Sequence, residues 1–220
     1  MIKAVLWDLD GTLVDSAEFH WQAWRDVMAA EGAPVTYDQF VHSFGKRNDL
    51  ILTGWLGDDV EPDRMRRLGE AKEAHFRELV RAHGIAPLPG VRDWVTRLAN
   101  DGWRHAIATS APRENLETLV DAMDMRPLFD AGIAAEDVTH GKPDPEVFLI
   151  AAGRLYAAPQ HAIVVEDAPM GIEAGRRAGM RTIGVSRMHQ LPHADLYVPT
   201  LPELALDAFD RLLRRPAHPQ

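Results

Sequence analysis

The stretch VLWDLDGTLVDSAEFH, residues 5–20, decides how this chain is read. An apolar run ends abruptly in two aspartates one residue apart, followed by Gly11 and Thr12. Ile2 to Trp7 is too short and too uniformly apolar for an amphipathic helix, and so reads as a strand buried on both faces. A buried strand that ends in Asp8 and Asp10 puts two charges at the edge of a sheet, where open α/β folds bind their ligands.

Working outward, similar short runs recur at 105–109 (HAIAT), 131–134 (AGIA), 162–165 (AIVV) and 182–185 (TIGV). Between them, residues 91–100, 114–123, 145–155 and 170–178 carry apolar side chains at three- and four-residue spacing, often with Pro before or Gly after. Strands alternating with helices at this rhythm predict an α/β fold, a Rossmann-like parallel sheet with helices on both faces. One segment breaks the alternation. Residues 16–84 show no strand but four helical stretches, at 17–31, 37–43, 47–56 and 62–83, the second opened by a capping box of Thr36 and Gln39. We therefore expect two domains, an α/β core of residues 1–15 and 85–220 and an all-helical insert of residues 16–84, with the Pro- and Gly-rich GIAPLPG at 84–90 as the second linker.

The 220 residues suffice for one sizeable core and a small second domain. With 33 acidic against 24 basic residues the net charge is -9, which gathers neither nucleic acid nor an anionic membrane, so a phosphate-bearing partner must be held locally. The absence of cysteine excludes disulfides, thiolate metal sites and a cysteine nucleophile. The first residues read neither as a signal peptide nor as a membrane span, and a cytoplasmic protein is the expectation.

The candidate site residues sit where apolar runs stop. These are Asp8 and Asp10, then Thr109 and Ser110, then Glu166 and Asp167, with Lys142 held in GKPDP between the last two pairs. In a parallel sheet they meet at one edge, bringing four carboxylates, an ammonium and a hydroxyl together. Two unit charges about 4 Å apart repel by roughly 4 kcal/mol at an effective dielectric constant near 20, so the cluster needs a cation. Carboxylates without histidine or cysteine favour a hard divalent ion such as Mg²⁺, which keeps waters and binds a substrate phosphate. The chemistry indicated is phosphoryl transfer.

In order and spacing, DLDGT at 8–12, TS at 109–110, the lysine of GKPDP and the ED of VVEDAPMGIEAG at 166–167 resemble the four motifs of the haloacid dehalogenase superfamily. DSAEFHWQAW at 15–24 is similar to its β-phosphoglucomutase-like subgroup, and the helical insert resembles the small cap of that superfamily. The resemblance implies that Asp8 is the nucleophile and forms an aspartyl-phosphate. Asp10 would protonate the leaving oxygen and then deprotonate the attacking water. It also implies that Thr109 hydrogen-bonds the phosphoryl group and that Lys142 offsets charge on Asp8 and the phosphate. Mg²⁺ would be held by Asp8, the backbone carbonyl of Asp10 and Asp167, with Glu166 as a ligand or a partner of the ligands.

Asp10, Glu166 and Asp167 argue against a dehalogenase, which needs neither acid nor metal. A phosphonate hydrolase would need an imine-forming lysine in the cap, a part open to Lys46 or Lys72. The contest is between a phosphatase of small phosphorylated metabolites, sugar phosphates foremost, and a β-phosphoglucomutase. His20 and Lys72 match cap positions that matter in the mutases. The loop HSFGKRND departs, with Phe44 where the mutases carry a lysine, and Arg47 a residue early. This favours a phosphatase, for which Lys46, Arg47, Asn48, Ser110 and Arg113 complete the substrate-binding candidates beside His20 and Lys72. A non-catalytic binding protein is the remaining alternative, against which the complete acidic set argues.

Several features have plainer readings. Thr109 and Ser110 can cap a helix before Arg113, and Glu166 and Asp167 the helix at 170–178. His189 and His193 (HQLPH) have a metal-site spacing, but Pro192 opposes the helix that would align them. Arg211, Arg214 and Arg215 suit the last turn of a terminal helix, while Trp21 and Trp24 serve cap packing or line a substrate cavity. A capped enzyme of this size closes its own site, so a monomer is expected.

Overall fold

In a computed structural model, residues 1–43, 45–188 and 190–214 are described. Phe44, His189 and Arg215, singled out above, lie outside them. The chain divides into two compact units, Met1–Asp15 with Ala86–Gln220, and Ser16–Ile85.

The first unit holds one parallel sheet. Its strands are β1 (Ala4–Trp7), β2 (Arg104–Ala108), β3 (Ala131–Ile133), β4 (Ala162–Glu166), β5 (Arg181–Val185) and β6 (Leu196–Val198), in the order β3-β2-β1-β4-β5-β6. The helices of this unit are α5 (Val91–Asn100), α6 (Arg113–Ala122), α7 (Glu146–Arg154), α8 (Pro169–Arg177) and α9 (Ala208–Arg214), numbered after four in the second unit. β1 is central, pairing Ala4 with Arg104 on one side and with Ala162 on the other, and all four of its residues are fully buried. Five strands match the apolar runs. β6 was not foreseen, because a three-residue edge strand with half-exposed side chains leaves no apolar run to see.

The two faces of β1 pack against different things, as alternation along a strand requires. Ala4 and Leu6 join Ala106, Ala108 and Val164 in a core closed by Val147, Phe148 and Ala151 of α7. On the other face Trp7 lies against Phe209 of α9, which also meets Trp94 and Trp103. Trp7 Nε1 donates to Nδ1 of His105, 3.0 Å away across the β1–β2 pair.

The second unit is helical, with α1 (Ala17–Ala30), α2 (Tyr37–Ser43), α3 (Asn48–Leu56) and α4 (Pro62–His83). The capping box forms, as Thr36 N–H donates to Gln39 Oε1 at 2.8 Å and Gln39 N–H to Thr36 Oγ1 at 3.3 Å. Trp24, Met28, Phe40, Ile51, Leu52 and Leu68 make its core. Trp21 packs on Tyr37 and Phe40, and Trp24 edge-on against Trp55, so both tryptophans take part in packing. Ile85 falls within this unit.

Candidate active site

Asp8 follows β1 directly. Its N–H still bonds the carbonyl of Val165 in β4 at 3.0 Å, so the sheet ladder fixes its backbone while its carboxylate leaves the strand end. The chain then reverses. Gly11, at φ +89°, donates to Val14 O at 2.8 Å, a conformation that costs glycine nothing and other residues strain. A side chain at Gly11 would also collide with the Asp167 carboxylate, which lies over its Cα.

Lys142 bridges two strand ends. Its Nζ donates to Asp8 Oδ1 at 2.5 Å and to Glu166 Oε1 at 2.9 Å, with only 8% of the side chain exposed. The ammonium also sits 5.0 Å from the ring centroid of Phe148, a cation–π contact away from solvent. The other oxygen of Glu166, Oε2, accepts the N–H of Ala168 at 2.6 Å, so Glu166 also serves the start of α8.

Carboxylate oxygens of Asp8, Glu166 and Asp167 lie within 4.8 Å of one another. Burial pushes Asp8 well above the ordinary aspartate value; Lys142 pulls it back, and Glu166 and Asp167 push it further up. Burial followed by repulsion from Glu166 pushes Asp167 up to about 7. Burial alone would lower Lys142, yet Asp8 and Glu166 outweigh it and hold the ammonium above the usual lysine value. One ammonium thus serves three crowded acids, and an all-oxygen donor set of this kind fits a hard divalent cation. Asp10 is not among the three converging carboxylates; it is half-buried in the reversing loop.

Thr109 is buried at the end of β2, where its N–H bonds Ile133 O and its Oγ1 accepts the N–H of Ala111 at 3.0 Å. Helix α6 is not capped by Thr109 or Ser110 as read from the sequence. The capping position is Pro112, and the first helical N–H, that of Arg113, goes to both oxygens of Glu136 at 3.1 and 3.0 Å. Ser110 is exposed. The Arg113 guanidinium is engaged by Asp137 and by Gly132 O, which ties α6 to the segment after β3.

In the helical unit, three of the five candidates come together around a residue that sequence reasoning missed. Lys72 Nζ lies 2.8 Å from His20 Nδ1 and 2.9 Å from Glu73 Oε1, which also accepts from Asn48 Nδ2 at 2.8 Å. His20 stacks on Phe76 at 4.1 Å. Glu73 had a signal, since Gly69, Lys72, Glu73, Phe76 and Val80 repeat at helical spacing and put two charges on an apolar stripe. Lys46 and Arg47 stay exposed on the loop, Arg47 paired with Asp49 at 3.3 Å. Among the described residues no helix is long and apolar enough to cross a membrane.

Known proteins resemble this chain in sequence and in fold. The Phosphorylated carbohydrates phosphatase of Thermotoga maritima is 33% identical over 187 residues, 83% of this chain and 84% of its own. The β-phosphoglucomutase of Bacillus subtilis is 28% identical over 216 residues, 94% of this chain and 93% of its own. The crystal structure of CbbY from Rhodobacter sphaeroides, in complex with xylulose-(1,5)-bisphosphate, shares the fold with a TM-score of 0.86 at 27% identity, covering 95% of this chain and 99% of that one. A family model matches residues 2–179, from β1 past the end of α8 and through all four strand-end motifs, and the chain belongs to the haloacid dehalogenase-like hydrolases.

Proposed function

We propose that this hydrolase is a Mg²⁺-dependent phosphatase that cleaves a small phosphorylated metabolite, a sugar phosphate, through an aspartyl-phosphate on Asp8. The observation that carries the reading is Lys142 bridging the buried acids Asp8 and Glu166, onto which the half-buried Asp167 also converges. Such an arrangement binds the anionic phosphoryl group only if further positive charge enters with it.

In this mechanism an Asp8 carboxylate oxygen attacks phosphorus, and the ester oxygen leaves with its bonding pair and takes a proton from Asp10. Water then attacks the same phosphorus and gives its proton to Asp10, which releases inorganic phosphate and restores the Asp8 carboxylate. Thr109 donates to a phosphoryl oxygen, while Lys142 offsets charge on Asp8 and on the phosphate. Asp8, the Asp10 carbonyl and Asp167 would hold Mg²⁺, with Glu166 beside them; when bound, it supplies charge neutralisation at the transferring group. We assign substrate selection to His20, Lys46, Arg47, Asn48 and Lys72 of the helical unit and to Ser110 of the sheet unit, and not to Arg113, whose guanidinium Asp137 and Gly132 O engage.

The names of relatives point the same way, since the Thermotoga protein is called a phosphatase of phosphorylated carbohydrates. We place the enzyme in the cytoplasm as a monomer acting on soluble esters, in keeping with its lack of cysteine and its net charge of -9. The test is phosphate release from p-nitrophenyl phosphate with and without Mg²⁺, followed by a panel of sugar monophosphates. Release no greater than that of an Asp8→Asn variant overturns the assignment. The alternative, a β-phosphoglucomutase, is favoured by the Bacillus relative. Conversion of β-glucose 1-phosphate to glucose 6-phosphate faster than free phosphate appears would select it.

A further inference from the structure

Lys142 stands on a loop, and four rotatable bonds separate its ammonium from the backbone, so something other than the carboxylates must fix where it starts. The residue that does so is Glu146, at the first position of α7. Its Oε2 accepts two consecutive backbone N–H groups, from Thr139 at 2.9 Å and from His140 at 2.8 Å. Its own N–H donates to Asp144 Oδ1 at 3.0 Å, and the N–H of Asp144 to Gly141 O at 3.0 Å. Residues 139–146 are thereby closed on themselves, with Lys142 at the apex. Two residues further along the same helix, Phe148 places its ring beneath the ammonium. The first turn of α7 thus holds both ends of one lysine, the backbone through Glu146 and the charged tip through Phe148.

We propose that Glu146 is a positioning residue for Lys142, fixing the loop so that the ammonium meets Asp8 and Glu166 together. The catalytic meaning of this rests on the phosphatase reading, in which Lys142 offsets charge on the nucleophile; the placement itself does not. The two N–H bonds hold the Glu146 carboxyl below the usual glutamate value, in keeping with a carboxylate that accepts both. An acid in the first turn of a helix also stabilises that helix without touching anything else. The test must therefore separate the two roles.

Chain chemistry makes this practical, because there are only four lysines, Lys3, Lys46, Lys72 and Lys142. Acetylation by a limiting amine-reactive ester, followed site by site with mass spectrometry, reads the accessibility of each. In Glu146→Ala, Lys142 should be labelled about tenfold faster than in the unaltered protein, while buried Lys72 serves as an unchanged control. Glu146→Gln keeps an acceptor oxygen and should stay close to the unaltered rate. Glu146→Asp keeps the charge at the helix start but shortens the arm by one methylene, so it should behave like the alanine variant. A purely helix-stabilising role predicts the opposite order, with aspartate harmless. On p-nitrophenyl phosphate with Mg²⁺, the alanine and aspartate variants should lose about tenfold in kcat with KM nearly unchanged. Lys142 labelling that does not respond in Glu146→Ala or Glu146→Asp overturns the proposal. If the unaltered protein releases no phosphate, the phosphatase reading falls, and the labelling still decides the placement of Lys142.

Discussion

The carboxylate of Glu166 occupies the space in which any side chain at Gly171 would begin. Gly171 lies in the first turns of α8, and the acid that partners Lys142 can pack against that helix only because position 171 carries no Cβ. Gly171→Ala must displace Glu166 and with it one of the two anchors of Lys142. Displacements of about 1 Å in such a constellation cost on the order of a hundredfold in rate, so the variant should lose kcat by that factor. Circular dichroism should show the helices intact. A variant with unaltered kcat would mean that Glu166 has room the structure does not show.

Cation binding should register as stability. Three converging acids served by one ammonium gain when a second cation arrives, and a ligand at a hundred times its dissociation constant stabilises by about 2.7 kcal/mol. Melting curves should therefore rise on adding Mg²⁺ to chelator-treated protein, and Asp167→Asn should abolish most of the rise. Equal shifts in both proteins would place the bound ion elsewhere.

His105 predicts an acid-side loss of stability unrelated to catalysis. The ring is buried, accepts from Trp7 through Nδ1, and has no hydrogen-bond partner at Nε2 among the described residues. Burial lowers it from 6.5 to about 4. Unfolded chain then takes up a proton that the folded chain refuses as pH falls from 6.5 towards 4, so stability is lost across that window and is unaffected by this group above it. The full loss is roughly 3 kcal/mol. Urea unfolding at several pH values should show this slope, and His105→Gln, which retains an acceptor for Trp7, should flatten it.

In the helical unit, Glu73→Ala removes the carboxylate that meets both Lys72 and Asn48. Lys72 and Glu73 are both buried, and breaking a buried pair by deleting one partner costs on the order of 3–5 kcal/mol. Hydrogen exchange should speed up in α3 and α4 while the sheet amides keep their protection. Unchanged exchange in α4 would show that Lys72 has found other compensation.

Much of this was legible in the sequence, for physical reasons that differ from residue to residue. Strands buried on both faces are written as unbroken apolar runs, so five of the six strands and the acids at their ends could be read directly. The capping box at Thr36 is local and could be read in the same way. What escaped depends on partners distant in sequence. Arg113 looked like a ligand-facing cation, but Asp137 and Gly132 engage it. Glu136 replaced Thr109 and Ser110 at the start of α6 by reaching in from after β3. Glu73 and Gly171 matter through what they touch, and neither contact has a one-dimensional signature beyond a charge or a glycine on a helix.

The pairing of β1 also bears on the order in which the molecule is made. Ala4 finds its neighbours at Arg104 and at Ala162, so β1 has no complete place until the residues of β4 have been made. Helices α1 to α4 are contiguous and rich in local contacts, and can condense while β1 still waits. During that interval four apolar residues that end fully buried stand uncovered. Asp8 takes its final backbone position only when Val165 is there to accept its N–H, so the proposed nucleophile waits on a strand far behind it in the chain.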